Sequence, residues 1–150
     1  MNRIAISLAS AVLAALAIAT TTSNHIVQPV YAKSGCSDAT LKGNYGFVFS
    51  GFTVPGQNAK AKEIPFAGTG AGTFDGTGNF SATANISQNG VIYPNFPYTA
   101  AYVVTSDCTG SMISTDGNAN LSLVVVSGGA EVLALDVDAG NTWTMDLKKQ

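Results

Sequence analysis

The 150-residue chain is poor in the side chains that carry most protein chemistry: it has one His (His25), one Arg (Arg3), two Cys and one Trp, and only 11% of its residues are charged. A single His near the N-terminus excludes a Ser-His-Asp triad or a multi-histidine metal site in the remainder of the chain. The lack of Arg beyond position 3 removes the forked guanidinium that clamps phosphate, and the formal net charge of -2 gives nucleic acid no attractive field. Nucleic acid is therefore not an expected partner. Low charge does not signal disorder, because disorder pairs high net charge with low hydrophobicity, whereas 46% of these residues are hydrophobic. No stretch beyond the N-terminal segment has helical periodicity of useful length.

The N-terminal residues read as a secretory leader: Met1-Asn2-Arg3 supplies a short positive region, and an apolar run follows from Ile4 to Ala19. At about 16 residues that run is short for a membrane span, which argues against an uncleaved anchor. Two small-residue cleavage points fit, after Ala19 and after Ala32, and the second is favoured because a cut after Ala19 leaves a polar, unpatterned tail. A lipoprotein reading is disfavoured by Lys33, which stands where an aliphatic residue is needed before Cys36. The expectation is residues 1–32 as signal peptide, residues 33–150 as one domain, and a secreted or periplasmic product without a membrane span. After that cut neither Arg3 nor His25 remains, and six Lys stand against nine Asp and Glu, a balance of -3.

Cys36 and Cys108 are an even pair, and in an exported protein that favours a disulfide. A redox pair or thiolate metal site usually places its cysteines a few residues apart, and these are 72 positions apart. No metal is expected.

From Asn44 onward, short alternating segments separated by Gly, Asn and Asp predict eight strands. The first, Tyr45 to Phe52, places Tyr45, Phe47 and Phe49 on one face. After Pro55-Gly56 and a charged Lys60-Ala61-Lys62-Glu63 loop comes a strand over Ile64 to Phe74 whose Gly68, Gly70 and Gly72 share a face, permitting close approach of a neighbour. Asp75-Gly76-Thr77-Gly78 turns into a strand carrying Phe80, Ala82, Ala84 and Ile86 on one side, and Asn89-Gly90 turns again. Val91 to Tyr93 precedes a loop with Pro94 and Pro97, residues that mark an edge, bulge or rim, and a strand over Tyr98 to Thr105. The last four strands lie near Ser111 to Thr115, Ala119 to Val126, Leu133 to Val137, and Trp143 to Leu147. Leu133, Leu135 and Val137 share one face, and Trp143, Met145 and Leu147 share another.

Eight sequential antiparallel strands fit either a two-sheet sandwich or a closed up-and-down barrel, and the short turns between neighbours favour the barrel. The segments Cys36 to Phe47, Gly72 to Phe80 and Asp107 to Gly110 together resemble a group of short, exported, mostly uncharacterised bacterial proteins with calycin-like barrels, similar in shape to allene oxide cyclases and dirigent proteins. The resemblance implies a disulfide-tied, all-β, eight-stranded antiparallel barrel, and it transfers no catalytic residue or cofactor.

An eight-stranded barrel is wide enough either to be filled by its own side chains or to hold one small ligand. Tyr45, Phe47, Phe49, Tyr98, Tyr102 and Trp143 are the candidate lining of an apolar pocket, with core filling as the alternative reading of the same residues. Lys62 and Glu63 are candidates for a charged rim, against a plain solvated loop. Asp75, Asp107, Asp116 and Asp138 stand where hairpin turns favour Asp. The Asp116 to Asn120 run has alternating oxygen side chains but lacks the later glycine and bidentate Glu of a calcium loop. Three Asn-x-Ser triplets, at Asn79, Asn85 and Asn120, fit the glycosylation pattern but arise readily by chance in such a composition.

The expected function is binding of a small apolar molecule without a cofactor. A cyclase or isomerase using a Tyr or Glu63, and a filled structural or surface module, are the two alternatives.

Overall fold

Alternation of apolar and polar residues becomes eight antiparallel strands in the computed structural model, which describes residues 35–54 and 61–150. The expected leader, both expected cleavage points and residues 55–60 lie outside the described residues. The strands are β1 (Gly43–Thr53), β2 (Ile64–Phe74), β3 (Asn79–Gln88), β4 (Val91–Val104), β5 (Thr109–Ser114), β6 (Asn120–Val126), β7 (Glu131–Asp136) and β8 (Thr142–Lys149). Each pairs with its neighbours in sequence, and β1 pairs with β8, for example Phe47 with Leu147, so the sheet closes as an up-and-down barrel. Closure gives every strand a partner on each side over at least part of its length. Among the described residues no helix is long and apolar enough to cross a membrane.

The interior is built by cross-strand complementarity between large and small residues. Tyr45, Phe47 and Phe49 of β1 stand opposite Gly72, Gly70 and Gly68 of β2. A Cβ on Gly70 would press into the Thr83 carbonyl and the Phe47 ring, and one on Gly68 into the Phe49 ring. The glycine stripe therefore makes room for the aromatic stripe, and its neighbours across β3, Ile86, Ala84 and Ala82, are of modest size. Gly70→Ala is expected to destabilise the barrel by about 1–3 kcal/mol through overpacking, read from the midpoint of urea unfolding.

Two features differ from the simple alternation. The Pro94 and Pro97 segment is no loop: β4 runs through it, with a bulge between the Ala84 and Ile86 pairings and Asn95 at φ 54°. Asn95 N–H donates to the Asn85 side chain at 3.0 Å, and β5 joins β4 only from Ala100 onward. The prolines thus occupy a stretch with a partner on one side only, where a missing donor costs least. In β7, Val132, Ala134 and Asp136 point inward, whereas Leu133, Leu135 and Val137 lie on the outer surface. Leu133 pairs there with Val124, which is also exposed.

One end of the barrel is sealed. The disulfide joins Cys36 to Cys108 in the β4–β5 turn, with Cα atoms 5.0 Å apart. It thereby ties the Cys36 segment to this end of the barrel. A short 3-10 turn, Asp38–Leu41, follows and buries Leu41 completely. The Asp38 carboxylate accepts the Val104 N–H at 2.7 Å, its carbonyl accepts the Tyr102 hydroxyl at 3.0 Å, and the Tyr45 hydroxyl donates to the Gly129 carbonyl. Behind this plug Phe74 packs edge-on to Tyr45 and Tyr102, with centroids 5.1 and 4.9 Å away, and against Phe80 at 4.4 Å. Turns at this end hold the carboxylates expected to shape hairpins. Asp75 accepts from Thr77 and Asn79 backbone N–H groups, and Asp107 from Thr109. Hydrogen bonds from Thr105 and Thr109 bring the Asp107 carboxyl down to about 2.

Candidate functional site

The opposite end, where the β1–β2, β3–β4, β5–β6 and β7–β8 connections lie, is not filled. A cavity of about 620 Å³ opens there to solvent, lined from six strands and from the β5–β6 and β7–β8 turns. That volume falls within the usual range for small-molecule pockets.

Its greasy wall comes from alternate inward positions of β1, β2 and β8. Phe47 and Phe49 stack with centroids 6.3 Å apart, Phe66 tilts against Phe49 at 4.8 Å, and Trp143 closes on Phe66 at 5.7 Å. Met145, Ala84 and Ile86 continue this surface. At the lip, the β4 bulge returns Tyr93 and Phe96 to the inward side, opposite Ile86 and Ala84, yet each remains 44% exposed. Thr53, Val54 and Ile64 form the facing lip.

The other wall is polar. Ser114, Asp116, Asn118, Asp138 and Asn141 border the cavity, and turn geometry holds each in place. Asp116 accepts the Asn118 N–H at 3.1 Å and its side-chain amide at 2.9 Å, while Ser114 accepts the Ala119 N–H at 2.9 Å. Hydrogen bonds, first from Ser114 and then from Asn118, hold the Asp116 carboxyl below the usual carboxylate range. Asp138 takes the Asn120 N–H at 2.9 Å. Behind it Asp136, almost fully buried, accepts the Asp138 N–H at 2.8 Å. Burial pushes the Asp136 carboxyl up, against the hydrogen bonds it receives from Asp138, Asn141 and Trp143.

Tyr98 joins the two walls. Its hydroxyl is buried and has no hydrogen-bond partner among the described residues. Burial, and next the charges of Asp116 and Asp136, push the phenol up to about 12, so it stays protonated at neutral pH.

Of the residues the sequence nominated, Phe47, Phe49, Tyr98 and Trp143 therefore meet around the cavity. Tyr45 and Tyr102 do not: both point inward, but they lie in the sealed end and spend their hydroxyls on Gly129 and Asp38. Lys62 and Glu63 are exposed just before β2, beside the mouth and outside its lining. The sequence did not nominate Phe66, the Tyr93 and Phe96 lip, or Asp116, Asp138 and Asn141 as wall residues. Phe66 was detectable from its two-residue spacing to Gly68 on the β2 inward face. The turn residues carried only their turn signal. Among the described residues no group of three or more His, Cys, Asp and Glu is placed to hold a metal ion. Comparison of the chain with protein-family models, with curated proteins and with solved structures finds no match.

Proposed function

We propose that this protein binds a small, largely apolar molecule in the open end of the barrel and releases it unchanged, as an exported carrier or scavenger. The observation that supports the reading is the cavity itself: a space of about 620 Å³, walled by stacked aromatics and entered past exposed Tyr93 and Phe96. Exposed aromatics and an unfilled apolar interior cost stability in water, and an occupant that covers them offsets that cost. The polar wall, with Ser114, Asn118 and Asn141, adds directional contacts beside the greasy one. The proposed kinship to calycin-like barrels agrees with this reading.

Binding is favoured over turnover by the protonation behaviour of the wall. A proton-transfer catalyst works best when its pKa lies near the working pH. Tyr98 is raised away from neutrality and Asp116 lowered away from it; burial pushes Asp136 up, but its two oxygens are already engaged by Asp138 and Asn141.

Nile red, a neutral apolar dye, tests the reading. Its emission should rise and saturate at one dye per chain, with Trp143, the single Trp, reporting the same isotherm. Ala84→Phe, which places a ring in the cavity, should weaken dye binding about tenfold or more, equivalent to roughly 1.4 kcal/mol, while thermal melting confirms the fold. Absence of saturable dye binding, or identical binding by a folded Ala84→Phe variant, would refute the pocket.

A further inference from the structure

The charge on the cavity wall is of one sign. Asp116 and Asp138 border the space, and the buried Asp136 stands behind Asp138, whereas no Lys, Arg or His lines it among the described residues. Lys62 is exposed beside Glu63 and is not part of the wall. Sharing the cavity with these carboxylates are the rings of Phe49, Phe66 and Trp143, and the face of an aromatic ring attracts a cation. Tyr98 also lines the space, and its buried hydroxyl has no hydrogen-bond partner among the described residues. From this arrangement we infer that the ligand is an organic cation: an amine or quaternary ammonium carried on an apolar body, with its charged head against Asp116 and Asp138 and its body along the aromatic wall. The inference rests on the pocket proposed above and names the class of molecule that fills it.

An anionic amphiphile suits the same space poorly. Its carboxylate would lose water beside two like charges, with no cation among the described lining residues to replace the hydration. A neutral alcohol avoids that penalty and can hydrogen-bond to the polar wall, but it gains no charge attraction. Burial is the main cause of the raised Tyr98 phenol, and the charges of Asp116 and Asp136 add to it.

Three probes that share one tail separate the possibilities: decylamine, decanol and decanoate, titrated into the full chain at neutral pH and below micelle-forming concentrations, with Trp143 emission as the readout. Decylamine should bind about tenfold or more tighter than decanoate at low salt, with decanol between them, and the gap should narrow as salt rises. In an Asp116→Asn variant the ratio of decylamine to decanoate affinity should fall severalfold, and salt dependence in the unmodified protein supplies the same information if the variant folds poorly. Equal affinities for the three probes, or tighter decanoate, would overturn the cation assignment and leave the apolar pocket standing. Failure of all three to bind would remove the pocket and this inference together.

Discussion

Phe74→Ala should cost about 3–5 kcal/mol of folding stability, the largest loss expected from any single side-chain truncation in the barrel. Phe74 has no exposed surface and contacts three aromatic rings, those of Tyr45, Phe80 and Tyr102. Two of those rings are anchored by hydroxyls bonded to Gly129 and Asp38, so they cannot swing into the space that truncation leaves. A cavity that cannot collapse carries the full penalty. For a domain of this length the loss corresponds to a melting temperature lower by roughly 10–20 °C, measurable by near-ultraviolet circular dichroism. Phe66→Ala is the control. Phe66 packs on Phe49 and Trp143 but borders space that is already open, so its truncation enlarges an existing cavity and should cost distinctly less. Similar losses for both variants would show that the two ends of the barrel are equally packed, against the description given above.

The contrast between the ends also explains what could be read from sequence. Strand order, turn positions and the aromatic and glycine faces of β1 and β2 were legible, because a two-residue period assigns every side chain to one of two faces and Asp-Gly or Asn-Gly pairs mark the reversals. Which face turns inward is a separate question wherever both are apolar. In β7 the larger Leu133 and Leu135 lie outside, and the register against β6 and β8 instead turns Val132 and Ala134 inward. Depth along the barrel axis is also invisible to local pattern. Tyr45, Phe47 and Phe49 share one face, yet the first is buried in the plug and the other two border the cavity. Depth follows from the stagger of all eight strands and from where the Cys36 segment docks, which are long-range properties. Asp116 and Asp138 show a third limit: a turn residue satisfies its local hydrogen bonds in the same way whether its loop faces solvent or rims a cavity.

Removal of the disulfide should separate stability from binding. In a Cys36→Ser, Cys108→Ser double variant the unfolded chain regains the freedom of a loop spanning 72 positions, a loss of roughly 2–4 kcal/mol and about 10 °C in melting temperature. Part of that loss comes through the folded state, since the bridge holds the Asp38–Leu41 turn against the barrel, where Leu41 is buried and Asp38 caps Val104 and Tyr102. Backbone hydrogen exchange at Tyr102 and Val104 should accelerate in the double variant more than exchange in β1 near Phe49. Cys108 lies in the β4–β5 turn at the sealed end, whereas the cavity is lined by residues at the other. Nile red affinity, measured where the variant remains folded, should therefore change by less than about twofold, or roughly 0.4 kcal/mol. A large loss of dye binding by the folded double variant would mean that the plug shapes the pocket, and that the two ends are coupled through the aromatic stack running from Phe74 and Phe80 to Phe47. Retained affinity alongside reduced stability would show that the sealed end carries the fold and leaves the mouth free to stay open.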